Sequence, residues 1–511
     1  VFTYLKGLFT KENSLRGASW ILILTLTASN LLGMIRDHFL AQYIPTGQLD
    51  IYYAAFRLPD LVFNILIYGA IAAAVVPILS RSFKANEKSS WELVANLLNI
   101  ATLIVLIALV GLFFLLPILM PLIVPSFPTE KIQETIYLAR WMLLSPLFFT
   151  ISYIFGSVLN AKKRFLLYSL APIVYNLSII IFTLLLSQRV NVVAPIIGVI
   201  VGSFLHMLVQ LPGAVAAGFR PHFKLNFQDA RLKRILKLML PRAVALGAGQ
   251  IQLVIFTAIA SSIAGAIAIY NLADNIQTVP IVIFGVSFAT AAFPSLAHFG
   301  NDERSKFNNV LLKSAKAALF FLIPSSIFLF LLRAQIVRLI LGYGYFGWSD
   351  TRQAADTLTF FALGVVAQGL IPLIARAYYA LENTRYPMWS AIISVIIGVT
   401  VALFGFKGLG VAGLALGYAF ASWVQLFILL VGLEWKTYIN LSGSFWISVA
   451  KMLLLAIIAS AVMQLIKHWY GSVWDIDKVY NLFVQTVVSA GVGILAYLGG
   501  AWLLKMPEIR K

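Results

Sequence analysis

Cysteine is absent from these 511 residues, which excludes disulfides and thiolate metal sites. Charge is scarce: 11% of positions are charged, where a soluble domain carries about 25%. The five histidines (His38, His206, His222, His298, His468) fall in unrelated segments, so no metal-ligand spacing arises. No nucleophile elbow or phosphate-cradling loop is found. The glycines of "GFKGLGVAGLALG" (405–417) follow no strand and precede no Gly-Lys-Ser/Thr; they read as small residues at tight helix contacts. An enzyme is therefore not expected, and neither is a cofactor or a metal. Ten-residue alternating strands, which a membrane barrel needs, are also missing.

Apolar sequence fills the space instead. Hydrophobic residues make up 61% of the chain and the mean hydropathy is +0.91. Apolar runs of eighteen or more recur throughout, which predicts an all-α polytopic membrane protein. Fourteen spans are expected: 17–43, 49–80, 91–117, 133–160, 165–187, 192–217, 241–262, 265–298, 308–332, 354–381, 387–406, 409–433, 444–468 and 480–504. The first residues, "VFTYLKGLFTKENSLRG", read as amphipathic and basic rather than as a cleaved leader.

Most of the 38 lysines and arginines fall in alternate loops, which places both termini in the cytoplasm. The net charge of +19 is then a topology signal and an anchor for anionic lipid headgroups, not a nucleic-acid footprint. The largest such segment, "RPHFKLNFQDARLKRILKLMLPR", puts Leu232, Ile235, Leu236 and Met239 on one face and Arg231, Lys233, Arg234 and Lys237 on the other. It is expected to be an interfacial amphipathic helix. The implied division is an N-terminal lobe (1–217), this linker (218–242), a C-terminal lobe (243–433) and a final helix pair with tail (434–511). The lobes look duplicated. One offset lays Tyr53 on Tyr270 and Pro77 on Pro294, and "KRF" at 163–165 falls near "TRY" at 384–386. An even number of spans per unit makes the repeats parallel, with a substrate cavity expected between them.

Charges inside apolar spans cost roughly 2.5–3.5 kcal/mol each on insertion scales, so they point to function. Span one holds Arg36 and Asp37, span two Asp50, Arg57 and Asp60, span eight Asp274 and Asn275, and span ten Asp356 and Arg376. Gly33, Pro59 and Pro280 are the expected bend positions. One reading keeps Arg36 and Asp37 near the outer interface, paired with each other or with Asp50. The other puts the arginines in a polar cavity, where their planar forks grip a phosphate.

"LLGMIRDHFLA", "DIYYAAFRLPDLV", "LNAKKRFLLYSLAPIVYNLS", "YNLADNIQTVPIVIFGVSFATAAFPSLAHF" and "RAYYALENTRYP" together resemble the MurJ/MviN family of the multidrug, oligosaccharidyl-lipid and polysaccharide exporter superfamily. The resemblance covers about 20–430. It implies two pseudo-symmetric six-helix lobes with two C-terminal helices. The implied role is flipping lipid II, an undecaprenyl-pyrophosphate-linked precursor, across a bacterial cytoplasmic membrane. It further implies that Arg36 and Asp37 are the family's Arg-Asp pair, Asp50 its acidic residue and Arg57 its basic residue before Leu-Pro. Several basic or acidic family positions are neutral here: Asn30, Phe63, Asn64, Tyr68 and Asn275. Arg140 and Arg376 are candidates to replace the lost arginines. Segments 243–263 and 388–404 hold no Asp or Glu, so the sodium site of some members is not expected. Alternatives on the same scaffold are a carrier of another polyprenyl-linked saccharide or an amphipathic cation, and a non-transporting scaffold for cell-wall synthesis proteins.

Overall fold

The computed structural model describes residues 15–68, 75–300, 302–435 and 438–508. Among them no strand occurs. Among the described residues, eleven helices or merged helix pairs are long and apolar enough to cross a membrane. They coincide with eleven of the expected spans. The other three, 17–43, 49–80 and 241–262, fall on helical segments partly outside the residues whose side chains are described. The contacts divide the chain at Ala268 and Ile269 into two compact units.

In the first unit, α1 (Leu15–Tyr43), α2 (Thr46–Phe63) and α3 (Val76–Ala85) precede the long α4 (Glu87–Ile123). Then follow α5 (Thr129–Met142), α6 (Leu144–Ala161), α7 (Phe165–Val190), α8 (Val193–Ala216) and α9 (Ala230–Ala260). The α1 helix lies on α7, and α8 packs on both α6 and α7. Close approach of α7 and α8 depends on glycine. A Cβ on Gly198 would stand 2.7 Å from the Ile179 Cα, and one on Gly202 would stand 3.0 Å from Tyr175. The α1 helix runs through Gly33 without a break, and a Cβ there would meet nothing within 4 Å.

The amphipathic segment differs from its expected form. Residues 219–226 have no helix, and α9 then continues from the basic stretch into the next apolar stretch. The Asp229 carboxylate caps α9 by accepting from the Arg231 N–H at 2.8 Å. Its bonds to the Arg231 side chain hold that carboxyl below the usual range. Leu232 and Ile235 are buried beside Leu97, Ile100 and Ile154, so protein covers that part of the face, while Leu236 is 40% exposed and the Met239 side chain lies outside the described residues. Asn96 fastens the preceding coil through two bonds to the Asn226 backbone, at 2.7 and 2.8 Å. The seventh stretch thus packs with the first unit, on α2 and α4.

The second unit takes most of α10 (Ala266–Pro280), then a π-helical turn at Ile281–Val286 and α11 (Ser287–Phe299). It continues through α12 (Arg304–Ile340), α13 (Trp348–Ala380), α14 (Arg385–Leu409) and α15 (Val411–Trp435) to the final pair, α16 (Gly443–Val473) and α17 (Val479–Leu503). Its core joins α12, α13 and α15 through Leu319, Leu322, Leu373 and Leu429. The final pair rests on α12, where the Tyr497 hydroxyl donates to the Phe320 carbonyl at 2.9 Å. Gly405, Gly413 and Gly417 act as spacers, a Cβ on Gly413 lying 2.2 Å from the Gly405 carbonyl carbon, whereas a Cβ on Gly408 would meet nothing within 4 Å and Gly410 is a left-handed residue closing α14.

Local features repeat between the units. A π turn at Asn64–Tyr68 follows α2, at the spacing from Ile281–Val286 that pairs Tyr53 with Tyr270. Left-handed residues close matching loops: Lys163 and Glu382 before α7 and α14, Asn191 and Gly410 after them. Pro280 sits at the α-to-π junction, and Pro59 lies one turn before the first π segment. In the second unit the π segment touches α13 so closely that a Cβ on Gly285 would stand 2.4 Å from the Gly369 carbonyl oxygen. Gly285→Ala is expected to force the two backbones apart at a cost of about 1–3 kcal/mol. A thermal midpoint equal to the parent's would show that this contact is dispensable.

Candidate functional site

The intramembrane charges of the first unit are distributed over three constellations. The first joins α1 to α7. The Arg36 Nε and Nη2 both donate to Asp37 Oδ1, at 3.0 and 2.7 Å, so two arms of the fork meet one oxygen. Nη1 donates to Asn176 Oδ1 at 3.2 Å. The Asn176 amide is oriented by its other end, where Nδ2 donates to the carbonyls of Pro172 and Ser29, at 3.1 and 3.4 Å. The Arg36 side chain keeps 20% of its surface exposed and that of Asp37 keeps 4%. Arg36 is therefore charge-compensated along one edge and held only by a neutral amide along the other.

The second constellation ties α2 to α9. Arg57 is buried and its Nε donates to Thr257 Oγ1 at 2.7 Å. One turn on lies Asp60, whose carbonyl accepts from Asn64 Nδ2 at 2.8 Å at the start of the π turn. Phe63 packs its ring against Phe149 and Tyr153 of α6. These two neutral residues, which stand where the resemblance implies a basic pair, serve packing and the helix-to-π transition.

Asp50 forms the third constellation and lies apart from Arg36. It is fully buried at the start of α2. Its Oδ2 accepts from the Gly265 N–H at 2.7 Å and the Lys131 Nζ at 3.3 Å, and its Oδ1 accepts from the Ala268 N–H at 3.0 Å. Gly265 has a φ of +81°, a left-handed conformation suited to glycine. The carboxylate thus pins the turn between α9 and α10 to α2 and α5.

In the second unit, Asp274 and Asn275 are half-buried neighbours on α10. Asp274 Oδ1 accepts from Gln277 Nε2 at 2.8 Å, and Gln277 Oε1 accepts from Gln368 Nε2 of α13 at 3.1 Å. Arg376 is held near the π segment by Thr290 Oγ1 at 2.6 Å and the Val286 carbonyl at 3.3 Å. Arg140 instead sits over the Phe113 ring, with its guanidinium carbon 4.6 Å from the ring centre. Asn176, Thr257, Lys131 and Gln368 were not among the expected site residues. Their only signal in the sequence is a polar side chain within or beside an apolar run. No cluster of three or more potential metal ligands occurs among the described residues.

Residues 41–485 match the family model described as lipid II flippase MurJ. The probable lipid II flippase MurJ of Rickettsia prowazekii (strain Madrid E) is 27% identical over 504 residues, covering 96% of this chain and 97% of that protein. Its counterpart in Rhizobium tropici is 29% identical over 472 residues, covering 88% and 85%. A solved structure described as lipid II flippase MurJ in an inward closed conformation superposes with a TM-score of 0.78 at 25% identity, covering 94% and 98%. An inward-facing multidrug resistance MATE family transporter of the MOP superfamily gives a TM-score of 0.64 at 15% identity, covering 83% and 95%, a likeness of fold alone.

Proposed function

This chain belongs to the lipid II flippase MurJ family, and we propose that Arg36 is the group by which it holds the pyrophosphate of lipid II during transfer between leaflets. The protein is a multi-pass membrane transporter and not an enzyme. The observation that carries the assignment of Arg36 is its uneven engagement. A phosphate oxygen makes a stronger, charge-assisted bond to a guanidinium than a neutral amide does. The Asn176 oxygen at 3.2 Å from Nη1 therefore occupies the place that a phosphate oxygen would take. Exchange at that edge leaves the pair with Asp37 intact, so no carboxylate is stranded in a medium where an unpaired charge is costly. Asp37 acts as a positioning residue that fixes the guanidinium plane.

The polyprenyl tail stays in lipid while the pyrophosphate and sugars cross, with the site exposed alternately to each side. The family is consistent with a bacterial inner membrane, and the basic-residue asymmetry supports both termini lying in the cytoplasm. With that orientation, a membrane potential negative inside favours outward movement of an anion by ~2.3 kcal/mol per charge per 100 mV. Anionic membrane lipids and cell-wall synthesis proteins complete the proposed partners. Asp274, Asn275 and Arg57 are assigned to substrate contact or to its supporting polar network.

Proteoliposomes test the substrate. Labelled lipid II is expected to become accessible on the far leaflet, and a polyprenyl-linked saccharide without the peptidoglycan headgroup much less so. Equal transfer of both would remove lipid II as the specific substrate.

A further inference from the structure

A groove of about 680 Å³ opens on the first unit between α4 and the α5–α6 pair, with neither Arg36 nor its partners in the lining. Its lining changes along its length. At the end near the 124–128 loop stand Phe113, Tyr137, Arg140 and Trp141; at the other end stand Leu106 and Leu147. Tyr137 and Trp141 are about half exposed, at 56% and 50%. The α4 helix and the merged α5–α6 pair are each apolar enough to span a membrane, and the exposure of Leu106, Val110 and Phe114 along the groove suits a face toward lipid. Tyrosine and tryptophan in such a position mark the headgroup level.

Among the described residues Arg140 is the only charged one in the lining. Among the described residues it meets no carboxylate, and its buried Nε has no hydrogen-bond partner. Stacking on Phe113 accounts for one face of the guanidinium and for none of its donors. An intramembrane arginine without a protein counter-ion is costly unless the surroundings supply an anion. At headgroup level beside an aliphatic trough, an anion with attached acyl chains fits both ends of the groove. We propose that this groove is a site for one anionic glycerophospholipid, its phosphate on Arg140 and an acyl chain along Leu106 and Leu147. In the orientation proposed above the lipid comes from the outer leaflet. The site is separate from substrate transfer and does not depend on the role of Arg36.

Native mass spectrometry of the full-length protein tests it, with phosphatidylglycerol and phosphatidylcholine as probes. The parent is expected to retain one phosphatidylglycerol about fivefold more tightly than phosphatidylcholine, the scale of one basic residue at a membrane surface. Arg140→Gln is expected to abolish that preference and Arg140→Lys to keep part of it. Val110→Trp, which fills the groove from an exposed position, is expected to weaken retention of both lipids. It also serves as an independent variant if Arg140→Gln folds poorly. Equal retention of the two lipids by the parent, or an undiminished preference in Arg140→Gln, overturns the proposal. Displacement of phosphatidylglycerol by lipid II in the parent and in Arg36→Ala alike also overturns it, since the groove would then serve the substrate.

Discussion

Replacing Arg36 with alanine is expected to lower lipid II transfer per folded molecule at least ~100-fold. Removing one partner of a hydrogen-bonded charge pair in a binding site costs about 2–5 kcal/mol, and all but the lowest part of that range exceeds the ~2.7 kcal/mol that this factor needs. Arg36 combines a carboxylate along one edge with a neutral amide acceptor along the other. Arg57 is buried against Thr257, and Arg376 is held by a hydroxyl and a carbonyl. Arg36→Lys keeps the charge but loses the planar fork, so an intermediate loss of about tenfold is expected. Asn176 gives a sharper test. Asn176→Ala frees the Nη1 edge and should leave transfer within about threefold of the parent. Asn176→Asp adds a carboxylate that competes with phosphate for the same donor and should cost about tenfold. Transfer in proteoliposomes and binding of lipid II to each variant separate the cases. Parent-level transfer by Arg36→Ala would end the assignment.

The membrane architecture was legible because hydropathy over about twenty residues reports a single physical requirement, burial in hydrocarbon. The segment around Leu232 and Ile235 shows where that signal stops. An apolar helix face looks the same whether lipid or another helix covers it, since lipid tails are as apolar as leucine. Only the packing on Leu97, Ile100 and Ile154 settles which one does. Pro280 signalled a bend, but not that the backbone meets it with a π turn. At the site, Arg36 with Asp37 was visible as an adjacent pair, while its third partner lies 140 positions away on α7. Attention to formal charge alone passes over amides and hydroxyls such as Asn176, Thr257 and Gln368. Asp50 was equally visible as an ion in an apolar run. Its partners were not, because two are backbone N–H groups 215 and 218 positions onward, and backbone donors carry no sequence signature.

That distinction gives Asp50 its own expected result. Asp50→Ala should destabilise the first unit by about 3–5 kcal/mol, the range for breaking a buried charge pair from one side. The substitution strands two main-chain donors, the N–H groups of Gly265 and Ala268, together with the ammonium of Lys131. Lys131 can turn outward, because its side chain is 20% exposed and also lies over the Phe127 ring. The backbone donors cannot, so most of the cost falls on the turn that joins α9 to α10. Lys131→Met should be somewhat milder, about 2–3 kcal/mol: the buried carboxylate loses its counter-charge but keeps both N–H partners. Asp50→Asn should fall between them: its carbonyl oxygen still accepts one N–H, but its NH₂ faces a donor where an acceptor is needed. Thermal midpoints would rank the three. Transfer per folded molecule distinguishes a staple from a ligand. A staple predicts lower midpoints with near-parent transfer in the folded fraction of Lys131→Met and Asp50→Asn. A substrate ligand predicts the reverse, with transfer lost at an unchanged midpoint, and that outcome would return Asp50 to the binding site.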